Sequence, residues 1–179
     1  LEGDPCDGLH LIVSGLGRIY RLSPAGREQV LALLHRGDSC NEVPVIDGGN
    51  NPANLVAVED TTTWSWSQQS IEALQREIPQ LREQITRSLA VRCRELVDQV
   101  YRLSFLSVTH RLVVFLLQQS QTGDSLDRGR WTQEDIASHV GTVREMVSRS
   151  LRNLENDGLI ELTRSVITIR DRKGLASLL

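Results

Sequence analysis

One run, VGTVREMVSRSLRNLENDGLI (residues 140–160), concentrates side chains able to do directional polar chemistry. Wound at about 3.6 residues per turn, it places Arg144, Glu145, Ser148, Arg149 and Arg152 on one stripe, with Val143, Val147, Leu151 and Leu154 facing the other way. A guanidinium carries a planar fork of donors that matches guanine O6 and N7, and a carboxylate accepts from the cytosine amino group. Such a stripe therefore fits base-pair edges in a DNA major groove. Two plainer readings compete. The chain has a single lysine, Lys173, so arginine fills any basic position on its surface. Thr142, three residues before Glu145, also has the spacing of a helix cap, in which Glu145 would be a cap partner rather than a reader of bases.

The elements needed to hold that stripe are legible around it. TQEDIASHV (132–140) reads as a short helix with Thr132 as N-cap and Asp135 in place of the usual Glu of a capping box, broken by Gly141. LIELT (159–163) and VITI (166–169), separated by Arg164-Ser165, read as a hairpin. Two helices joined by a Gly-containing turn, the second polar on one side and followed by a hairpin, describe a winged helix-turn-helix. VTHRLVVFLLQQS (108–120) reads as a buried helix ahead of it, and GDSLDRG (123–129) as a loop.

Upstream, Leu89, Cys93, Leu96, Val100 and Leu103 step by 4, 3, 4, 3, with Leu81 and Ile85 leading in after a short helix that ends near Pro79. This seam of about two heptads suits either a helix packed on its own domain or a two-fold dimer contact. Residues 1–67 read as β: runs at 9–15, 17–23, 28–34, 54–60 and 61–67 are separated by Pro24-Ala25-Gly26, Gly37-Asp38 and Asp47-Gly48-Gly49-Asn50. Short strands at this spacing close into a sandwich or barrel.

With 179 residues, 40% of them hydrophobic, the chain can build one domain or two small ones. No apolar run approaches the roughly 20 residues of a membrane span, and no cleavable leader is visible. The net charge of −3 looks wrong for a nucleic-acid binder, but it is uneven: from Ser107 onward ten Lys plus Arg face nine Asp plus Glu, against ten and fourteen before it. Binding must then depend on where charges sit rather than on their number. Cys6, Cys40 and Cys93 lack metal-ligand spacing and are odd in number, which points to a reducing cytoplasm. The four histidines (His10, His35, His110, His139) do not form a metal-ligand set, and no phosphate loop or nucleophile signature is present. We expect no enzyme.

The succession of β segment, heptad helix, FLSVTHRL and WTQEDIASHVGTVREMVSRSLRNLENDGLIEL resembles the CRP/FNR family of bacterial transcription regulators over essentially the whole chain. The Arg-Glu-x-x-x-Arg pattern of CRP-type helices falls on Arg144, Glu145 and Arg149, and the Glu-x-x-Ser-Arg pattern of FNR-type helices on Glu145, Ser148 and Arg149. Gly15 and Gly37-Asp38 match turns of the family's β-roll. The resemblance implies an α+β fold: a β-roll with its first strands missing before the abrupt LEGDPCDG, a long dimerisation helix, and a C-terminal winged helix-turn-helix. The divisions are 1–79, 80–106 and 107–179. It implies a cytoplasmic homodimer on a pseudo-palindromic site in double-stranded DNA, RNA polymerase as a further partner, and a small-molecule effector. Glu145 and Arg149 would read a G·C-containing core, Arg144 a further guanine and Ser148 a thymine edge, with Arg152, Thr132 and Thr142 beside them. Leu89, Cys93, Leu96, Val100 and Leu103 would form the dimer contact.

The implied effector pocket departs from the family's cyclic AMP binders. Glu42 falls on the ribose position, but the Arg-Ser pair that holds the cyclic phosphate falls on Asn51-Pro52, and the Thr-Ser pair at the adenine on Leu96-Val97. Asparagine carries no charge and proline no N–H, and a buried anion without its counter-charge costs several kcal/mol. We expect an effector other than cyclic AMP, with Glu42 a turn carboxylate and the cofactor unassigned. Alternatives are a redox- or haem-dependent gas sensor (His10, His35 or Cys40 as axial ligand, Cys6 or Cys40 as switch), an apolar effector, none at all, or a nucleotide-sensing module that does not bind DNA.

Overall fold

The computed structural model describes residues 1–120 and 125–179, and its chain contacts divide it into two units, Leu1–Asp98 and Gln99–Leu179. The first unit holds β1 (Leu9–Ser14), β2 (Gly17–Leu22), β3 (Glu28–Leu34), β4 (Ser39–Cys40), α1 (Glu42–Asp47), β5 (Asn54–Ala57), β6 (Thr62–Trp66) and α2 (Gln68–Glu77). The strands pair antiparallel in two sheets, β4-β1-β6 and β3-β2-β5. All five expected strands form. β4 was not foreseen because two residues are too few for side-chain alternation to register; it pairs His10 with Cys40 and Leu11 with Ser39. The tight β1–β2 turn depends on Gly15 at φ 91°, where a Cβ would lie 2.5 Å from the Asp60 carbonyl oxygen.

Two apolar clusters close this unit. Ile12, Leu34 and Cys40, with Ile19 against them, fill the space within the strands. Leu9, Val45, Ile71 and Ile85, with Leu81 and Leu89, join the strands to α1, α2 and the start of the long helix α3 (Pro79–Phe105). Pro79 sits at the first helical position, where its missing N–H costs nothing. The heptad seam therefore divides into two stretches of one helix. Leu81, Ile85 and Leu89 pack within their own unit, whereas Cys93 is exposed and Leu96, Val100 and Leu103 are 46%, 63% and 40% exposed.

The second unit holds α4 (Val108–Gln119), β7 (Ser125–Asp127), α5 (Gln133–Val140), α6 (Arg144–Asn156), β8 (Ile160–Leu162), β9 (Val166–Ile169) and α7 (Arg172–Ala176). Its core combines Leu112, Val113, Leu116, Ile136, Val147, Leu151, Leu154 and Ile167, each buried, under a β7-β9-β8 sheet. The stretch 123–129, expected as a loop, contains a strand instead: Ser125–Asp127 pairs with β9 because Leu126 is buried in the core. Gly123 and Asp124 lie outside the described residues. The β8–β9 turn uses neither Asn-Gly nor positive φ. The Thr163 hydroxyl accepts from Val166 N (3.0 Å) and donates to Val166 O (3.1 Å), and Arg128 N donates to Ser165 O at 2.8 Å.

Candidate nucleic-acid interface

The polar stripe is presented by the junction of α5 and α6. Thr132 and Asp135 cap α5 reciprocally, each backbone N–H donating to the other's side chain at 3.1 Å. Gly141, at φ 75°, ends α5 in the left-handed conformation, and Thr142 N turns back to Ala137 O at 3.0 Å. Here one expectation fails. The N-cap of α6 is Val143 rather than Thr142, it makes no side-chain cap bond, and it is 37% exposed rather than packed on the inner face. The capping-box role for Glu145 goes with it. The three-residue turn needs Thr142 for its own bond to Ala137, which shifts the helix start one residue on.

α6 then divides cleanly. Val147, Ser150, Leu151 and Leu154 are buried, while Arg144, Glu145, Arg149 and Arg152 are exposed and Ser148 half-buried. Among the described residues, Arg144, Glu145, Arg149 and Arg152 make no ion pair or hydrogen bond to another side chain. Other charges of this unit are engaged: Arg170 pairs with Glu161, and Glu155 accepts from Leu162 N at 2.9 Å, tying α6 to β8. The two glutamates of α6 thus have opposite fates, one holding the hairpin and one facing solvent at the helix start. There the positive end of the helix dipole stabilises its charge.

Two adjoining depressions, of about 540 and 600 Å³, share Gln133, Arg144, Ser148 and Arg152 as walls. They bring together the sequence-predicted Arg144, Glu145, Ser148, Arg149, Arg152 and Thr132; Thr142 lies half-buried in the turn behind them. They also add residues that sequence reasoning missed. Asn156 continues the Ser148–Arg152 row by one further turn, a signal present in the spacing; Asn153 adjoins it. Gln133 at the start of α5, Arg128 and Arg164 come from other elements, and only the fold assembles them.

The implied effector residues are not gathered in this way. Glu42 is the first residue of α1 rather than a turn carboxylate; it is 6% exposed and accepts from the Ser39 hydroxyl and, at 3.1 Å, from the Ser88 hydroxyl of α3. α1 escaped detection because Pro44 reads as a breaker, although in a first turn its missing N–H is harmless. Asn51 is half-buried, with Oδ1 buried and unpartnered among the described residues. Leu96 and Val97 are exposed about two turns beyond Ser88. A cavity of about 1010 Å³ in this unit is lined by Leu9, Leu11, Trp66, Ile71, Leu81 and Ile85 among others, and by none of these four.

Of the sensor candidates, Cys40 is 2% exposed and burial pushes its thiol up to about 12. His10 shares hydrogen bonds with Ser65 Oγ (2.7 Å) and Asp7 (2.9 Å), and the bond from His10 holds the Asp7 carboxyl below its ordinary value. His35 is exposed and Cys6 half-buried. Among the described residues no group of three or more His, Cys, Asp or Glu stands ready to hold a metal ion, and no helix is long and apolar enough to cross a membrane.

Comparison with known proteins places this geometry. Residues 1–77 match the cyclic nucleotide-binding domain and residues 110–178 the Crp-like helix-turn-helix domain. The chain is 30% identical to the CRP-like cAMP-activated global transcriptional regulator of Mycobacterium tuberculosis, covering 98% of this chain and 81% of that one. It is 33% identical to the cyclic AMP receptor protein of Thermus thermophilus, covering 95% and 78%. A crp/fnr-family transcriptional regulator from Eubacterium rectale superimposes with a TM-score of 0.83 at 29% identity, covering 97% of this chain and 81% of that one.

Proposed function

The chain belongs to the CRP/FNR family of transcription regulators, with a DNA-binding helix-turn-helix, and from that premise we propose a homodimer that reads a pseudo-palindromic site through α6 and answers to an effector other than cyclic AMP. The observation that carries the DNA reading is the uncommitted face of α6. Three guanidinium groups and one carboxylate stand exposed without protein partners among the described residues, on a helix whose opposite side is fully packed. Arg149 and Glu145 read a G·C-containing core, Arg144 a further guanine and Ser148 a thymine edge. Arg152, with Thr132 at the start of α5 and Thr142 at the turn, follows the DNA backbone, and the initiating RNA polymerase is the further partner. Two such helices act together only on a two-fold protein, with sites about one DNA turn apart. The bare stretch of α3 at Cys93, Leu96, Val100 and Leu103 offers that axis.

The relatives named for cyclic AMP do not carry their ligand over to this chain. Its equivalent of the phosphate-binding pair is Asn51-Pro52, and Glu42 already accepts from two serines. Cyclic AMP added to the protein should shift neither its melting temperature nor its DNA affinity, since only a ligand that prefers the folded state stabilises it. A saturable rise in either would contradict this. The buried, proton-holding Cys40 and the engaged His10 give a redox- or haem-dependent sensor no support.

The DNA reading is tested by gel shift at two salt concentrations with wild type and Arg149→Ala. Wild type should bind selectively and lose affinity as salt rises. The variant should lose about 1–3 kcal/mol of discrimination at its base pair while melting like wild type. Normal selectivity in the variant would refute the role of Arg149.

A further inference from the structure

Arg111, in the first turn of α4, bonds backbone at and just past the C-terminal ends of α3 and α5. Its Nε donates to Val140 O at 2.7 Å and Nη2 to Gly141 O at 3.2 Å. Its Nη1 donates to Leu106 O at 2.8 Å and reaches Leu103 O at 3.5 Å. The first pair closes α5, immediately before the turn into α6; the second lies at the end of α3. The last carbonyls of a helix have no donor within it and carry the negative end of its dipole. A planar cation with donors pointing in several directions satisfies both ends at once. Burial lowers the Arg111 pKa, consistent with a guanidinium drawn out of water to make these bonds.

The apolar core does not make this connection. It is closed by α4, α5 and α6 through Leu112, Ile136 and Leu151, while Tyr101, Leu103 and Phe105 at the end of α3 are 56%, 40% and 76% exposed. We propose that Arg111 is a positioning residue for DNA recognition: one guanidinium, bonded to carbonyls at the ends of α3 and α5, fixes the last turns of α3 (residues 99–105), which carry Val100 and Leu103, against the helix-turn-helix and so sets the half-site spacing that the dimer selects. This rests on the dimeric DNA reading above. Each base pair inserted between half-sites rotates one against the other by roughly 35°, so a fixed angle admits one spacing and a loose one admits several.

The test uses the full chain as wild type, Arg111→Lys and Arg111→Gln, with duplexes that carry one half-site word at varied spacings. Wild type should prefer one spacing by about tenfold over its neighbours, the order expected when charge-assisted bonds hold the geometry. Both variants should flatten that profile to within about threefold while keeping the same base preferences inside the half-site. Lysine keeps the charge on a single nitrogen that cannot serve both carbonyl pairs, so it decides the matter if Arg111→Gln does not fold. A variant profile as sharp as wild type overturns the proposal. So does Arg111→Lys losing helix content, which would make the residue a determinant of folding. A wild type that selects no word at any spacing removes the DNA reading itself, whereas an unchanged profile in the variants removes only the role of Arg111.

Discussion

At the scale of single residues, function and stability separate by exposure. Arg144→Ala should relax preference at one base pair, by roughly tenfold or more, and leave the melting temperature unmoved, because its side chain has no protein partner to lose. Binding to duplexes substituted at each position measures this; uniform weakening at every position would recast Arg144 as a backbone contact. The cysteines divide likewise. Iodoacetamide at neutral pH should leave Cys40 untouched, because Cys40 is buried and keeps its proton up to about 12, whereas Cys93, exposed in the single chain, should react in monomers and be shielded in the dimer. Unfolded, this thiol ionises near its ordinary value of 9.0. Between those two values the folded chain binds the extra proton, so stability should fall as pH rises, by at most about 1.4 kcal/mol per unit from this group. Denaturant midpoints against pH, with Cys40→Ser as control, read it out. The spacing of the arginine stripe was enough to place these side chains on one face. The engagement of Glu42 by Ser39 and Ser88 was not legible, because the two serines come from different elements and one lies 46 residues away.

At the scale of elements, the helices that place the stripe were visible from their periodicity and caps. What escaped was short: β4, β7, α1 and α7 span two to six residues, less than is needed for a period to repeat. α6 starts one residue beyond the Thr142 that cap chemistry favours: the αL turn at Gly141 ties Thr142 N to Ala137 O, which takes the N–H that a capping-box partner at Glu145 would need, and the cap position falls to Val143. That shift yields a prediction. Val143 is an N-cap without a capping group, so Val143→Ser should stabilise the unit by about 1 kcal/mol, seen as a higher melting temperature. No gain would mean that the first turn of α6 finds its acceptors elsewhere. Leu151→Ala, on the packed side of the same helix, should instead cost about 2–5 kcal/mol.

At the scale of the whole molecule, the small net charge tells little, and the uneven placement of charge tells more. The single chain leaves the Cys93–Leu103 stretch of α3 uncovered, an arrangement expected of a surface that a second copy covers. Val100→Glu should give monomers by analytical ultracentrifugation, with specific DNA binding lost; dimers of unaltered affinity would put the two-fold contact elsewhere. The measurement that bears most directly on base reading by α6 is selection from a pool of randomised duplexes by the purified wild-type protein. The predicted result is one enriched pseudo-palindrome with G·C-containing half-sites about one helical turn apart, about 34 Å. A pool that stays random after repeated rounds would contradict it.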